Sequence, residues 1–295
     1  MSTIKTIMPK ILSLNASKSP LPLIFDSPHS GREYPEDFCF SCPFDILEKA
    51  EDNYVDDLFG CVPEYGGTLL CALFPRTYID VNRAADDIDP ELLDDKFTPC
   101  QINPTARSHA GIGLIRRIVR PGTPVYDRRL SLNEITQRIE TYYKPYHRQL
   151  ETIIREMHYN FGQVWHINCH SMPQYSNKMG LSGASFAISP DFVLGDRDGT
   201  SCALDFTHSL RDFLKGLGYR VAINNPYRGL ELVRRYADPA RGCHSLQIEI
   251  NKGLYWDENK NKKSRKYSLL KSNIEQLIQH CAAYASGNLT AMAAD

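Results

Sequence analysis

VWHINCHSMP, residues 164–173, alternates apolar and polar side chains with a period of two. In an extended strand, Trp165, Ile167 and Cys169 face one side while His166, Asn168 and His170 face the other. The segment predicts a strand whose apolar face packs on a core and whose polar face opens on a site. His170, at the strand end, is the stronger candidate ligand; His166 equally suits a buried, hydrogen-bonded histidine.

Outward from this stretch, short runs rich in β-branched and aromatic residues recur at Leu21–Asp26, Thr68–Leu73, Tyr78–Val81, Ala184–Ile188, Arg220–Asn224 and Ser245–Ile250. These read as strands. Helical patterns fall at about Phe44–Tyr65, Ser131–Phe161, Cys202–Leu217 and Lys266–Tyr284. Ser131, with Glu134 three residues on, has the spacing of a capping box, and Pro145 predicts a kink or break in the same helix. Strands separated by long helices imply an α/β three-layer sandwich with a mixed, largely parallel central sheet. The weakly periodic, Asp-, Pro- and Gly-rich stretch from Ala84 to Pro121 predicts an irregular excursion over the sheet.

The chain has 295 residues, 42% of them hydrophobic, and shows no repeat, low-complexity tract or Gly/Ser-rich linker. One domain over 1–295 is expected. Lys and Arg total 34 against 35 Asp and Glu, so no global field draws the chain to nucleic acid or to an anionic membrane, and a small molecule is the expected partner. The nine cysteines are odd in number and irregularly spaced, which predicts reduced thiols rather than a disulfide framework, with the C-x-x-C at Cys39 and Cys42 incidental. The first fifteen residues carry neither a signal-peptide core nor a membrane span, so a cytoplasmic location is expected.

Ligands in open α/β sheets bind beyond the carboxyl ends of strands. Two further strand ends carry reactive groups. LPLIFDSPHSG, residues 21–31, runs an apolar strand into Asp26, Pro28 and His29. HSLQIEIN, residues 244–251, puts Gln247 and Glu249 on one face; a carboxylate within an apolar strand is costly unless paired, protonated or metal-bound, which makes Glu249 a candidate general base or acid. A catalytic Zn²⁺ takes three protein ligands, often two His and a carboxylate. His29 and His170 supply two. The third is expected from EDNYVDDL, residues 51–58, where a helix would place Asp52 and Asp56 on one face at i and i+4. Asp52 is preferred, with Asp56 as the alternative ligand or an orienting group.

The same segments resemble the N-formylglutamate amidohydrolase (formylglutamate deformylase) family. The similar stretches are SPHSG at 27–31, D-x-x-V-D-x-L at 52–58, YIDVNR at 78–83, GIGLIRR at 111–117, PYH at 145–147, HSMP at 170–173, NNPYRG at 224–229 and QIEINKGLYWDE at 247–258. They are colinear over roughly residues 20–260. The resemblance implies a fold similar to the zinc exopeptidases (phosphorylase/hydrolase-like) and one Zn²⁺ per chain. It also implies hydrolysis of an N-acyl amide such as N-formyl-L-glutamate to formate and glutamate, in histidine catabolism. In one place the chain departs from the family's pattern: Leu230 follows Gly229 where a Gly-Gly pair is expected, adding bulk beside a substrate contact.

The expected mechanism has Zn²⁺ on His29, Asp52 and His170, with Glu249 taking a proton from water and returning it to the leaving amine. A substrate with two carboxylates needs arginines to orient it; Arg83 and Arg117 are the expected pair, supported by Asn82 and Arg234, with Tyr227 covering the ligand. Three other readings compete: the same site acting on a different N-acyl amino acid or small peptide, a non-catalytic protein binding an acidic metabolite, and a hydrolase using Cys169 as nucleophile with His166 or His170 as base. Cys169 falls on the face opposite both histidines, which weighs against the last.

Overall fold

The computed structural model describes residues 10–94, 102–180 and 183–292. Seven strands, numbered in chain order, make the main sheet: β1 Leu12–Ala16, β2 Leu23–Ser27, β3 Thr68–Ala72, β4 Val164–Met172, β5 Phe192–Gly195, β6 Val221–Ile223 and β7 Cys243–Asn251. Their spatial order is β1-β3-β2-β4-β7-β5-β6. β3, β2, β4 and β7 run parallel, as do β5 and β6; β1 is antiparallel to β3 and β5 to β7. The carboxyl ends of the four central strands thus lie along one edge. The sheet is mixed and largely parallel, with helices on both faces.

Apolar alternation decides which helices go where. Leu23 and Phe25 of β2, Trp165, Ile167 and Cys169 of β4, and Leu246, Ile248 and Ile250 of β7 share one core with helix α2, Leu204–Gly216, and helix α3, Tyr267–Met292. On α3 the buried positions Leu270, Ile274, Leu277, Ile278 and Cys281 recur at three- and four-residue spacing, the stripe that seats a helix on a sheet. The opposite face packs under helix α1, Lys144–Phe161, through Leu150, Ile153, Ile154 and Met157. None of the described helices is long and apolar enough to cross a membrane.

The predicted Ser131 helix starts as its cap requires, with Ser131 Oγ accepting from Glu134 N at 3.2 Å. Ahead of Pro145 its backbone widens into a π-turn over Ile139–Tyr143. Helical structure then continues through Pro145 as α1. This seating aims a row of polar tips at the sheet and its loops. Tyr143 Oη donates to the Arg83 carbonyl at 2.9 Å, Tyr146 Oη to Asp26 Oδ2 at 2.7 Å, and His147 Nε2 to the Val81 carbonyl at 3.0 Å.

Several expectations are corrected. Phe44–Tyr65 is not one helix: its helical turns are Phe44–Leu47, Glu48–Ala50, Val55–Leu58 and Val62–Tyr65. Tyr54 sits at φ 58°, in the left-handed region, and turns the chain between Asp52 and Asp56. Tyr78–Val81 is a run of turns rather than a strand. The Ala184 run does form a strand, Gly183–Ile188, but it pairs with Tyr175–Gly180 in a separate ribbon. β1 and β5 were unforeseen. The eight described cysteines are free thiols.

His147 yields a stability prediction. Its Nε2–H donates to Val81 and its Nδ1 accepts from Tyr236 Oη at 2.8 Å, so the neutral ring fills both roles. Burial, aided by the nearby Arg235 charge, pushes its pKa down from 6.5 to about 3. Above pH 6.5 neither folded nor unfolded chain protonates this group; below it the unfolded chain binds a proton that the folded one refuses, so stability falls with pH. Between pH 7 and pH 5 urea melts should show His147 costing about 2 kcal/mol. That part of the loss should vanish in His147→Gln, and equal losses in the two proteins would contradict the assignment.

Candidate metal centre and catalytic cleft

β2 ends at Ser27, and the chain passes Pro28 to His29 before crossing the end of β3. Gly31 makes this crossing possible: a Cβ there would lie 2.2 Å from the Phe74 carbonyl oxygen, a separation only glycine avoids. Asp52 N donates to the His29 carbonyl at 3.0 Å, and Ser30 Oγ donates to the Asp52 carbonyl at 2.8 Å. Two loops far apart in sequence are thereby clipped together by their own backbones. β4 brings His170 from the other side, and the His29 and His170 ring centroids are 4.6 Å apart.

His29, Asp52 and His170 are all buried, and one ligating atom from each lies within 4.8 Å of the others. The hydrogen bonds behind them set the tautomers. His29 Nε2 donates to Asp80 Oδ1 at 2.7 Å, which leaves the Nδ1 lone pair free; that atom is buried, has no hydrogen-bond partner and stands 3.4 Å from Asp52 Oδ2. His170 Nε2 donates to Asn168 Oδ1 at 2.7 Å, leaving its Nδ1 3.0 Å from the same carboxylate oxygen. Two imidazole lone pairs and a carboxylate oxygen facing one point repel each other until a cation or proton lies between them. This donor set fits Zn²⁺, and carboxylate- or amide-backed histidines are its usual support.

Arg76 balances the charge behind this cluster, with Nη1 3.4 Å from Asp52 Oδ1 and Nη2 2.9 Å from Asp80 Oδ2. Burial alone would raise both carboxyls. For Asp52 the contacts with His170 and His29 and the Arg76 charge overcome it, for Asp80 the His29 contact and the Arg76 charge, and both lie well below the usual carboxylate range.

Glu249 stands beside His170 across the β7–β4 ladder and is 8% exposed. Its Oε1 accepts from Gln247 Nε2 at 2.8 Å. Burial pushes its pKa up to about 7, and the Asp52 charge adds to the rise while His170, Arg76 and Arg107 oppose it. His29, Asp52, His170 and Glu249 line one cavity of about 370 Å³ together with Asn82, Arg83 and Tyr227.

Three expected residues do not line it. Asp56, turned away by Tyr54, pairs with Arg32 at 3.1 Å. Arg117 pairs with Asp89 at 2.6 Å and Glu91 at 2.9 Å. Its neighbour Arg116 bridges Ile112 in extended backbone and lines the cavity instead, since adjacent residues in extended chain face opposite ways. Arg234 lies on the surface of a short helix and pairs with Glu231 three residues earlier. Sequence reasoning missed Arg76, Asp80, Arg107 and Arg116. Only Asp80 gave a signal, as an acid inside the apolar YIDV run. Cys169 is buried in the core of the opposite face, and burial raises its thiol pKa far above the usual range, which removes the cysteine-nucleophile reading.

A model of the N-formylglutamate amidohydrolase family matches residues 21–256. The crystal structure of N-formylglutamate amidohydrolase from Ralstonia eutropha JMP134 superposes with a TM-score of 0.88 at 40% identity, covering 94% of this chain and 99% of that one. N-formylglutamate deformylases of Pseudomonas putida and Pseudomonas aeruginosa are 25% and 24% identical over 259 residues, 85% of this chain and 87% of each relative.

The Arg76 arrangement is testable by itself. Arg76→Met strips the counter-charge from two buried carboxylates, and breaking such a pair costs about 3–5 kcal/mol. The urea midpoint should fall accordingly; a midpoint within error of the parent would show that Arg76 does not balance the cluster.

Proposed function

Because this chain belongs to the N-formylglutamate amidohydrolase family, and is thereby a hydrolase acting on an amide, we propose that it converts N-formyl-L-glutamate and water to formate and L-glutamate with one Zn²⁺ per chain. The observation that carries the reading is the convergence of His29 Nδ1, Asp52 Oδ2 and His170 Nδ1 in the cavity that also holds Glu249. These three side chains would hold the ion, which supplies Lewis acidity that polarises the formyl carbonyl and lowers the pKa of water.

The remaining work falls to the chain's own residues. Burial pushes the Glu249 carboxyl up to about 7, and a cation held beside it would draw it back toward the carboxylate form that accepts a proton. The Glu249 carboxylate takes a proton from the attacking water as the new C–O bond forms, and returns it to the amine nitrogen as the C–N bond of the tetrahedral adduct then breaks, releasing formate and glutamate. Gln247 holds one Glu249 oxygen and leaves the other for this exchange.

The substrate's two carboxylates require two guanidiniums. Arg83, 6% exposed, has an Nε with no hydrogen-bond partner, and Arg116 has a buried Nε in the same condition. Both line the cleft. Arg83 keeps the role its sequence suggested, and Arg116 takes the one first assigned to Arg117. Asn82 Oδ1 accepts from Leu232 N at 3.0 Å, and Asn82 and Tyr227 complete the lining of the cleft.

Metal analysis of the purified protein, paired with formate release from N-formyl-L-glutamate before and after chelation, tests the reading. About one Zn²⁺ per chain and chelator-sensitive formate release are expected; absence of metal even after reconstitution would sink it. Glu249→Gln should keep its metal and lose about 10²–10⁴-fold in kcat, the usual contribution of general acid–base catalysis. His170→Ala should lose both metal and activity, and a fully metallated His170→Ala protein would take that residue out of the ligand set.

A further inference from the structure

A second cavity, of about 270 Å³, adjoins the cleft and shares Arg107, Tyr227 and Leu230 with it. Its innermost polar group is Gln247, 1% exposed. The Gln247 amide is half used: Nε2 donates to Glu249 Oε1, while Oε1 is buried with no hydrogen-bond partner. A buried carbonyl oxygen in that state calls for an N–H donor.

The rest of the lining calls for an anion. Arg107, Arg197 and Arg228 surround the chamber against one acid, Asp198. Arg228 pairs with Asp198 at 2.7 Å. Arg197 Nη1 donates to the Gly229 carbonyl at 3.1 Å, and neither Arg197 nor Arg107 has a carboxylate partner among the described residues. The guanidiniums of half-buried Arg197 and exposed Arg107 are thus free to meet an anionic ligand.

An N–H donor with a carboxylate a few bonds away is the chemistry of an amide-linked amino acid whose own carboxyl is free. We propose that this chamber binds such a unit, joined to the glutamyl part of the substrate, so that N-formylglutamyl dipeptides as well as N-formylglutamate are deformylated here. This rests on the function proposed above and extends it.

The sill between the chambers supports the same conclusion. Tyr227 and Leu230 line both cavities. Gly229 holds the loop at φ 97°, and a Cβ there would lie 3.1 Å from Val233. The Leu230 side chain gives the linking carbons of a longer substrate an apolar surface between two polar ends.

The test measures formate release by the metal-loaded protein from N-formyl-L-glutamyl-glycine, α- and γ-linked, and from the corresponding glycinamides, which lack the terminal charge. In at least one linkage the acid should exceed its amide about tenfold in kcat/KM, and Arg197→Gln should bring that ratio close to one. Which linkage shows the preference tells which glutamyl carboxylate points at the chamber. Equal rates for acid and amide in both linkages, or a preference that survives Arg197→Gln, would overturn the inference. N-formyl-L-glutamate run alongside separates the two claims: turnover of it without any preference for the acid sinks only the second chamber, and no formate from any substrate sinks both.

Discussion

The carboxylate of Asp52 is the constraint around which the rest is arranged. It is buried, ionised and 3.0 Å from a ring nitrogen of His170, and a buried charge persists only if its surroundings answer it. Arg76 answers one oxygen, and the pair of imidazoles with whatever cation they share answers the other. Asp80 is answered in turn by Arg76 at 2.9 Å and by Arg83 at 4.0 Å. Backbone geometry is conscripted for this purpose: Gly31 lets the His29 loop cross the end of β3, and the Asp52 amide ties itself to the His29 carbonyl.

Behind the cluster, the polar face of β4 forms a connected hydrogen-bond chain. Asp26 Oδ1 accepts from His166 and Asn168, Asn168 Oδ1 accepts from His170, and His166 Nδ1 meets Ser245 Oγ on the neighbouring strand. The ring orientation of His170 is therefore set by Asn168, whose own amide is set by Asp26, which Tyr146 of α1 holds by its second oxygen. A network of this kind is stable when every member is satisfied and costly when one is not. His166, which sequence reasoning left between ligand and structural histidine, belongs to this scaffold.

What was legible in the sequence follows from the reach of each physical rule. Strand alternation depends only on the backbone, so the division of His166, Asn168 and His170 from Trp165, Ile167 and Cys169 held, as did the shared face of Gln247 and Glu249. The capping pair Ser131 and Glu134 is equally local. Asp56 failed because the i,i+4 argument assumed continuous helix, and one left-handed residue, Tyr54, broke it. Arg117 was displaced by Arg116 because loop direction, set by the Ile112–Arg116 bridge, is a tertiary matter. Arg76 and Asp80 pair with each other four residues apart, but their contacts with Asp52 and His29 are made to other loops, and nothing in the spacing of those loops records the meeting.

The cleft also keeps apart groups that would neutralise each other. Glu249 has no ion-pair partner among the described residues, although Arg83, Arg107 and Arg116 line the same cavity. A guanidinium bonded to Glu249 would stabilise its anion and depress its pKa, and the residue would lose the near-neutral balance that proton exchange needs. Gln247 prevents this by giving Glu249 Oε1 a neutral donor of fixed direction. Arg116 is thereby left without a carboxylate partner among the described residues and Arg83 with only a 4.0 Å contact to Asp80, and burial lowers the pKa of Arg83 and brings Arg116 down to about 10, which records the cost of holding them so. On the proposed function that cost would be recovered when a polyanionic substrate enters, because each carboxylate would meet a guanidinium already largely stripped of water. In the function proposed above, selectivity for an acidic N-acyl amino acid and the basicity of Glu249 would then have one origin, the separation of opposite charges inside a single cavity.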